Sequence, residues 1–293
     1  MQRKPALDGV GLAALLAVQA LLAFNQIVVK LVNAGLQPVF FAGLRSVLAV
    51  FFVWAWLVWR GRPPRLSRAV WPTGLLIGAA FAGEFLSLFM ALDLTSVGRA
   101  SVLFYSMPLW FAVMAHFGLP GERITRMKAV GLLLAFAGTA VAILGRGAGE
   151  GGSLAGDVFG LLAALGWAST AYLARRPMMA KEGPEMQLFW MVLVSGPILL
   201  ALAPAFGPLV RDFQPLHLAG LLFQASVVVA GGFIAWLWLL SVYPAAVVAS
   251  FSFLTPLLAI GLDWLIFGTQ PAPGLIVAAA LVGAGITLIN RKA

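Results

Sequence analysis

Long apolar runs alternate with short polar or basic breaks along almost the whole chain. They fall at about 9–32, 38–59, 70–92, 97–118, 126–145, 154–174, 186–205, 215–240, 245–268 and 272–290. About 20 apolar residues carry an α-helix across a bilayer. The pattern therefore predicts an all-α integral membrane protein with ten transmembrane helices. Tyr243-Pro244 alone divides the eighth run from the ninth; the other breaks are clean. No stretch is left over for a soluble domain.

Composition agrees with this picture. Of 293 residues, 62% are hydrophobic and 10% charged, where a soluble domain has roughly 45–50% and 25%. The 32 glycines and 17 prolines are compatible with membrane helices, which use small residues for close packing. With no cysteine, a disulfide framework, a thiolate metal site and a cysteine nucleophile are excluded. His116 and His217 are too few for a histidine-rich metal site, so no metal or cofactor is expected. After Met1-Gln2-Arg3-Lys4 the first run has full length and lacks a small-residue cleavage site, so it is expected to be retained.

The net charge of +9 could suggest a nucleic-acid partner, but its distribution points to a membrane instead. With the N-terminus inside, Arg3, Lys4, four arginines at 60–68, Arg123, Arg126, Lys128, Arg175, Arg176, Lys181, Arg291 and Lys292 share one side. That makes 14 basic residues, against Lys30, Arg99, Arg146 and Arg211 on the other. The bias puts both termini in the cytoplasm and requires an even number of crossings.

The two halves resemble each other. Pro108 and Pro256 fall at the same depth of the fourth and ninth runs, and Phe117-Gly118 and Phe267-Gly268 follow at a similar interval. The expected division is 1–148 and 149–293, with five spans in each. An odd number of crossings makes the second repeat enter from the opposite side. Inverted repeats recur in transporters, with the binding site near the midplane between halves.

Phe89-Met90-Ala91-Leu92, Thr95-Ser96, Ala100-Ser101, Pro108-Leu109 and Gly121-Glu122-Arg123 together resemble the drug/metabolite transporter superfamily, EamA branch. Lys30 and Arg45 stand where that family often has basic residues. Within it the chain is most similar to the YddG-type exporters of aromatic amino acids. The resemblance implies a monomeric secondary transporter of the bacterial inner membrane, exporting amino acids or related metabolites by alternating access. Gly268-Thr269-Gln270 departs from the family's Gly-Glu pair.

Glu84 is the foremost candidate for chemistry. A carboxylate in the middle of a span is costly and faces a cavity or partner. It is read either as a proton acceptor or substrate-ammonium anchor, or as a structural hydrogen-bonding group. Arg45, also within a span, is expected to pair with Glu84 or another acid, or to snorkel outward, ahead of contacting a substrate carboxylate. Asp93 and Arg99 are expected to cap helix ends. Asn25, Gln26 and Gln19 on the first span, with Trp167 and Thr170 on the sixth, are expected to line a pathway. Ser101 and Tyr105 share one face of the fourth span, and Ser250 and Phe253 take related places in the ninth. Pro108 and Pro256 each remove a backbone hydrogen bond and are expected to kink these helices at a gate. Trp54, Trp56, Trp59 and Trp71 read as an interfacial belt. Gly131, Gly138, Gly283 and Gly285 suggest close packing of the fifth and tenth helices.

Other classes fit less well. An isolated Glu84 without clustered acids or histidines gives a membrane enzyme no constellation. The glycine-rich stretch Gly147–Gly152 lacks Gly-Lys-Ser and a following strand–loop–helix setting, so no ATPase is indicated. A proton-coupled drug exporter and a facilitative uniporter or channel remain the alternatives to an amino-acid exporter.

Overall fold

A computed structural model describes residue 4 and residues 6–95, 97–144, 153–267 and 274–290. Gly268-Thr269-Gln270 and the Gly147–Gly152 stretch lie outside the described residues, as do the side chains of Lys30, Asp93 and Asp263. The apolar segments fold as helices in register with the hydropathy. They are α1 (Gly9–Gly35), α2 (Pro38–Trp59), α3 (Trp71–Leu94), α4 (Val97–Phe104) with α5 (Met107–Gly118), α6 (Arg126–Leu144) and α7 (Leu154–Arg175). After them come α8 (Pro177–Leu202), α9 (Pro215–Phe223) continuing into α10 (Ile234–Val242), α11 (Ala245–Ser250) with α12 (Leu254–Phe267), and α13 (Leu275–Asn290). Among the described residues, nine helices are long and apolar enough to cross a membrane. The tenth expected span appears as the shorter apolar helix α13, with residues 271–273 before it outside the description.

Four segments depart from plain α-helix. Pro108 cannot donate to the carbonyl four residues back, and the fourth segment breaks at Tyr105-Ser106, leaving Pro108 in the first turn of α5. The ninth breaks at a 3-10 turn, Phe251–Phe253, just before Pro256 in α12. Between α9 and α10 the eighth segment is a π-helix over Gln224–Phe233. Gly183, at φ +80°, separates a short piece at 177–182 from the spanning part of α8. Only glycine enters that region without strain.

Contacts between segments follow a regular exchange in which each segment is replaced by its counterpart five later. The first segment packs on the ninth (α1 on α12) as the sixth packs on the fourth (α7 on α4 and α5). The third meets the sixth (α3 and α7) as the eighth meets the first, and α3 meets α8 as the eighth segment meets α2. The pairs α2–α8 and α6–α13 map onto themselves.

The α6–α13 contact is backbone on backbone. A Cβ added to Gly285 would lie 2.5 Å from the Gly131 carbonyl oxygen and 2.6 Å from the Ala135 nitrogen, whereas one at Gly283 would meet nothing within 4 Å. Gly283 therefore takes no part in the close approach expected of it. Gly285→Ala is expected to lower stability by about 1–3 kcal/mol, because helix backbones must separate. Gly283→Ala should stay within about 0.5 kcal/mol of the parent. Thermal unfolding of the two variants in one detergent measures the difference.

Candidate substrate pathway

A chain of polar side chains runs through the middle of the bundle. Asn25 on α1 accepts a hydrogen bond from the Gln224 side-chain amide at the start of the π-helix. The Gln224 carbonyl oxygen accepts in turn from the Arg45 guanidinium on α2, at 3.4 Å. Arg45 lies with its Cζ 4.2 Å from the centroid of the Phe85 ring on α3, a cation–π arrangement that strengthens where water is excluded. Glu84 is the chain neighbour of Phe85 on α3. Both ionisable residues are only 4% exposed. Arg45 Nε and Nη2 and Glu84 Oε2 are buried without a hydrogen-bond partner. Arg45 thus neither snorkels nor bonds a carboxylate; its partners are an amide and an aromatic face.

Close helix contact fixes Glu84 at this depth. Gly166 on α7 sits against it so tightly that an added Cβ would be 2.8 Å from Glu84 Cα. The next residue, Trp167, begins an aromatic wall. Trp167 stacks on Phe104 at 5.0 Å with 19° between planes, meets Tyr105 edge-on at 6.4 Å, and reaches Trp236 on α10 at 6.3 Å. The Tyr105 hydroxyl accepts from the Gln26 side-chain amide. Tyr105 lies at the break between α4 and α5, where the Ser106 hydroxyl donates to Leu103 O at 2.5 Å and accepts from the Trp110 indole at 2.9 Å.

Tyr105 and Trp167 thus meet, with Tyr105 bonded to Gln26, the chain neighbour of Asn25, and Glu84 packed on Gly166, the chain neighbour of Trp167. Other candidates stand apart. Thr170 and Ser250 donate to carbonyls of their own helices, Trp167 O and Val247 O. Phe253 is fully buried against Phe136, and its carbonyl accepts from Thr139 at 3.2 Å. Ser101 is half-buried on α4. Gln19 pairs with Thr255 beside Pro256, at 2.6 Å. Gln224, which joins two chain halves, was not singled out by sequence reasoning. Its signal was available: it is the one amide side chain in the 215–240 run.

Both ends of the bundle are tied by charge. At the end carrying the N-terminus, buried Glu122 pairs with buried Arg175 and accepts from the Ala245 amide at 3.0 Å. Arg175 also donates to Leu240 O and Tyr243 O. Arg175, one of the basic residues counted on the N-terminal side, is thus buried at the end of α7. Nearby, the Tyr243 hydroxyl donates to Asp8 at 2.7 Å, and Lys4 pairs with the same carboxylate. The hydrogen bond from Lys4, then those from the Gly11 amide and Tyr243, hold the Asp8 carboxyl well below the usual carboxylate range. At the opposite end Arg99 pairs with Asp157, which also accepts from Thr95 at 3.1 Å. Arg99 thus clasps α4 to α7. Among the described residues no cluster of His, Asp or Glu could hold a metal ion.

Membrane-length helices around buried amide and ionisable side chains define a multi-pass membrane transporter. The chain belongs to the EamA-like transporter family, whose sequence profile matches twice, over residues 9–144 and 154–291. It is similar to the uncharacterized transporter YvbV of Bacillus subtilis, at 28% identity over 87% of this chain and 83% of that one. A probable amino-acid metabolite efflux pump of Salmonella typhimurium is 25% identical over 94% and 93% of the two chains. A solved crystal structure shares the fold with a TM-score of 0.80 at 22% identity, covering 94% of this chain and 96% of that one.

Proposed function

We propose that this protein is a secondary transporter of the bacterial inner membrane that exports amino acids with bulky apolar side chains. It works by alternating access between two inverted five-helix repeats, 1–148 and 149–293, with both termini cytoplasmic. The segment contacts that survive exchange of the halves support the repeat. Lys4, the 4–5 connection, the end of α7 and the 8–9 connection meet at one end of the bundle, the grouping that ten crossings require.

One observation carries the cargo: a buried acid and a buried cation hold polar atoms that no group among the described residues answers, and an aromatic wall starts at the next residue to the glycine packed on that acid. A buried polar group left without a partner costs about 1–3 kcal/mol, and more when charged. A zwitterion answers both, with its ammonium toward Glu84 and its carboxylate toward Arg45. An apolar side chain would lie along Phe104, Trp167 and Trp236. The Salmonella relative, a probable amino-acid metabolite efflux pump, supports the same class.

Proteoliposomes loaded with labelled tryptophan, phenylalanine or threonine test the proposal. Saturable, protein-dependent efflux is expected, faster for the two aromatic substrates. Absence of flux for every amino acid would overturn the cargo. Flux indifferent to an imposed pH gradient would make the protein a facilitator instead of a proton-coupled exporter. Non-saturating flux would favour a channel.

A further inference from the structure

A second cavity lies away from the polar chain, at the end that carries the N-terminus. It is a crevice of about 1160 Å³ between the ends of α2 and α10, floored by the connection from α7 into α8. Two chemically different surfaces face each other across it. The mouth carries Arg60, Arg62 and Arg65 from the α2–α3 connection and Lys181 from the floor. Glu182 and Glu185 also line the floor, and Arg175, lower in the crevice, already pairs with Glu122. The mouth therefore stays net positive.

The interior is apolar and runs lengthwise. Ala230, Ile234 and Trp238 form one face of the eighth segment, opposite Phe52 and Trp56 of α2. From Ser226 to Ser241 this lining follows roughly 20 Å of helix. The Arg60 guanidinium lies 5.5 Å from the Trp56 ring centroid. Trp54, Trp59 and Trp71 are exposed around the same end, and such aromatics concentrate where membrane meets water. The cations thus sit at headgroup depth and the apolar wall at acyl-chain depth.

We infer that this crevice is a binding site for an anionic phospholipid, with the phosphate held by Arg60, Arg62 and Arg65 and an acyl chain laid along Ala230, Ile234 and Trp238. A soluble phosphate would find the same cations but leave the apolar wall unanswered. Basic pockets between membrane helices hold anionic headgroups by this combination. The site is independent of the cargo and of the transport direction.

Native mass spectrometry of the full chain tests it, with phosphatidylglycerol and phosphatidylcholine as probes. Two charge-matched triple variants are compared: Arg60→Gln/Arg62→Gln/Arg65→Gln at the crevice, and Arg123→Gln/Arg126→Gln/Lys128→Gln away from it. Phosphatidylglycerol retention is expected to fall about ten- to a hundredfold for the crevice variant and to stay near parent for the other. If the crevice triple yields no folded protein, Arg62→Gln alone is read, with about a fivefold loss expected. Ala230→Trp, which fills the wall without changing charge, should also weaken retention. Equal loss in both triples would reduce the effect to general surface charge and overturn the site. Equal retention of phosphatidylcholine, or displacement of the lipid by millimolar inorganic phosphate, would overturn it too.

Discussion

Glu122→Ala is expected to destabilise the folded protein by about 3 kcal/mol, among the largest single-residue losses the fold can show. Glu122 and Arg175 are both buried, and the carboxylate also receives the Ala245 amide. Removing it leaves a guanidinium in a low-dielectric site without the Glu122 carboxylate, beside the carbonyls of Leu240 and Tyr243. It also strands the amide that begins α11. The companion variant Glu122→Ala/Arg175→Met should recover much of the loss, because it removes the uncompensated charge together with its partner. Unfolding midpoints of parent, single and double variants in detergent give the coupling directly. A single variant as stable as the parent would show that the pair contributes nothing to holding this end closed.

Glu84→Gln is expected to reduce transport about thirtyfold or more while leaving the protein folded. Gln keeps the shape of the side chain but brings a neutral amide where a substrate ammonium needs a charged acceptor. Removing one partner of a buried charged contact costs about 2–5 kcal/mol in binding. Stability should hold or rise slightly, since a carboxylate is expensive to keep among apolar helices. Flux per folded protein, with an unfolding curve on the same preparation, separates the two roles. Retained flux with a lowered midpoint would make Glu84 a structural hydrogen-bonding group and remove it from the pathway.

The helices were legible in the sequence because hydropathy is a one-dimensional signal. The run 38–59 matches α2 residue for residue, and 126–145 begins where α6 begins. Pro108 and Pro256 marked the two broken segments, since a missing amide must interrupt the helix wherever the chain goes afterwards. Pairings between distant residues were not legible. Arg175 sits among other basic residues at a helix end, and only folding carries it to Glu122, 53 positions away. The Gln224 bond to Asn25 spans 199 positions. The π-helix has no hydrophobic signature separate from an α-helix over so short a stretch, so its ten residues read as ordinary span. Periodicity likewise could not separate Gly283 from Gly285, because two positions on one helix differ by about 200° of rotation and only the partner helix says which side it occupies.

The backbone contact between Gly131 and Gly285 has a consequence for the proposed cycle. Exchange of the halves leaves the α6–α13 pair unchanged, as it does α2–α8, whereas it turns the pairing of the third segment with the sixth, and of the first with the ninth, into a different one. Motion that swaps the roles of the repeats can therefore proceed with this seam intact, as a fixed spine around which the first, third, sixth and eighth segments trade neighbours. A side chain on either glycine would wedge the spine in both halves of the cycle at once, so its absence serves the outward- and inward-open forms alike.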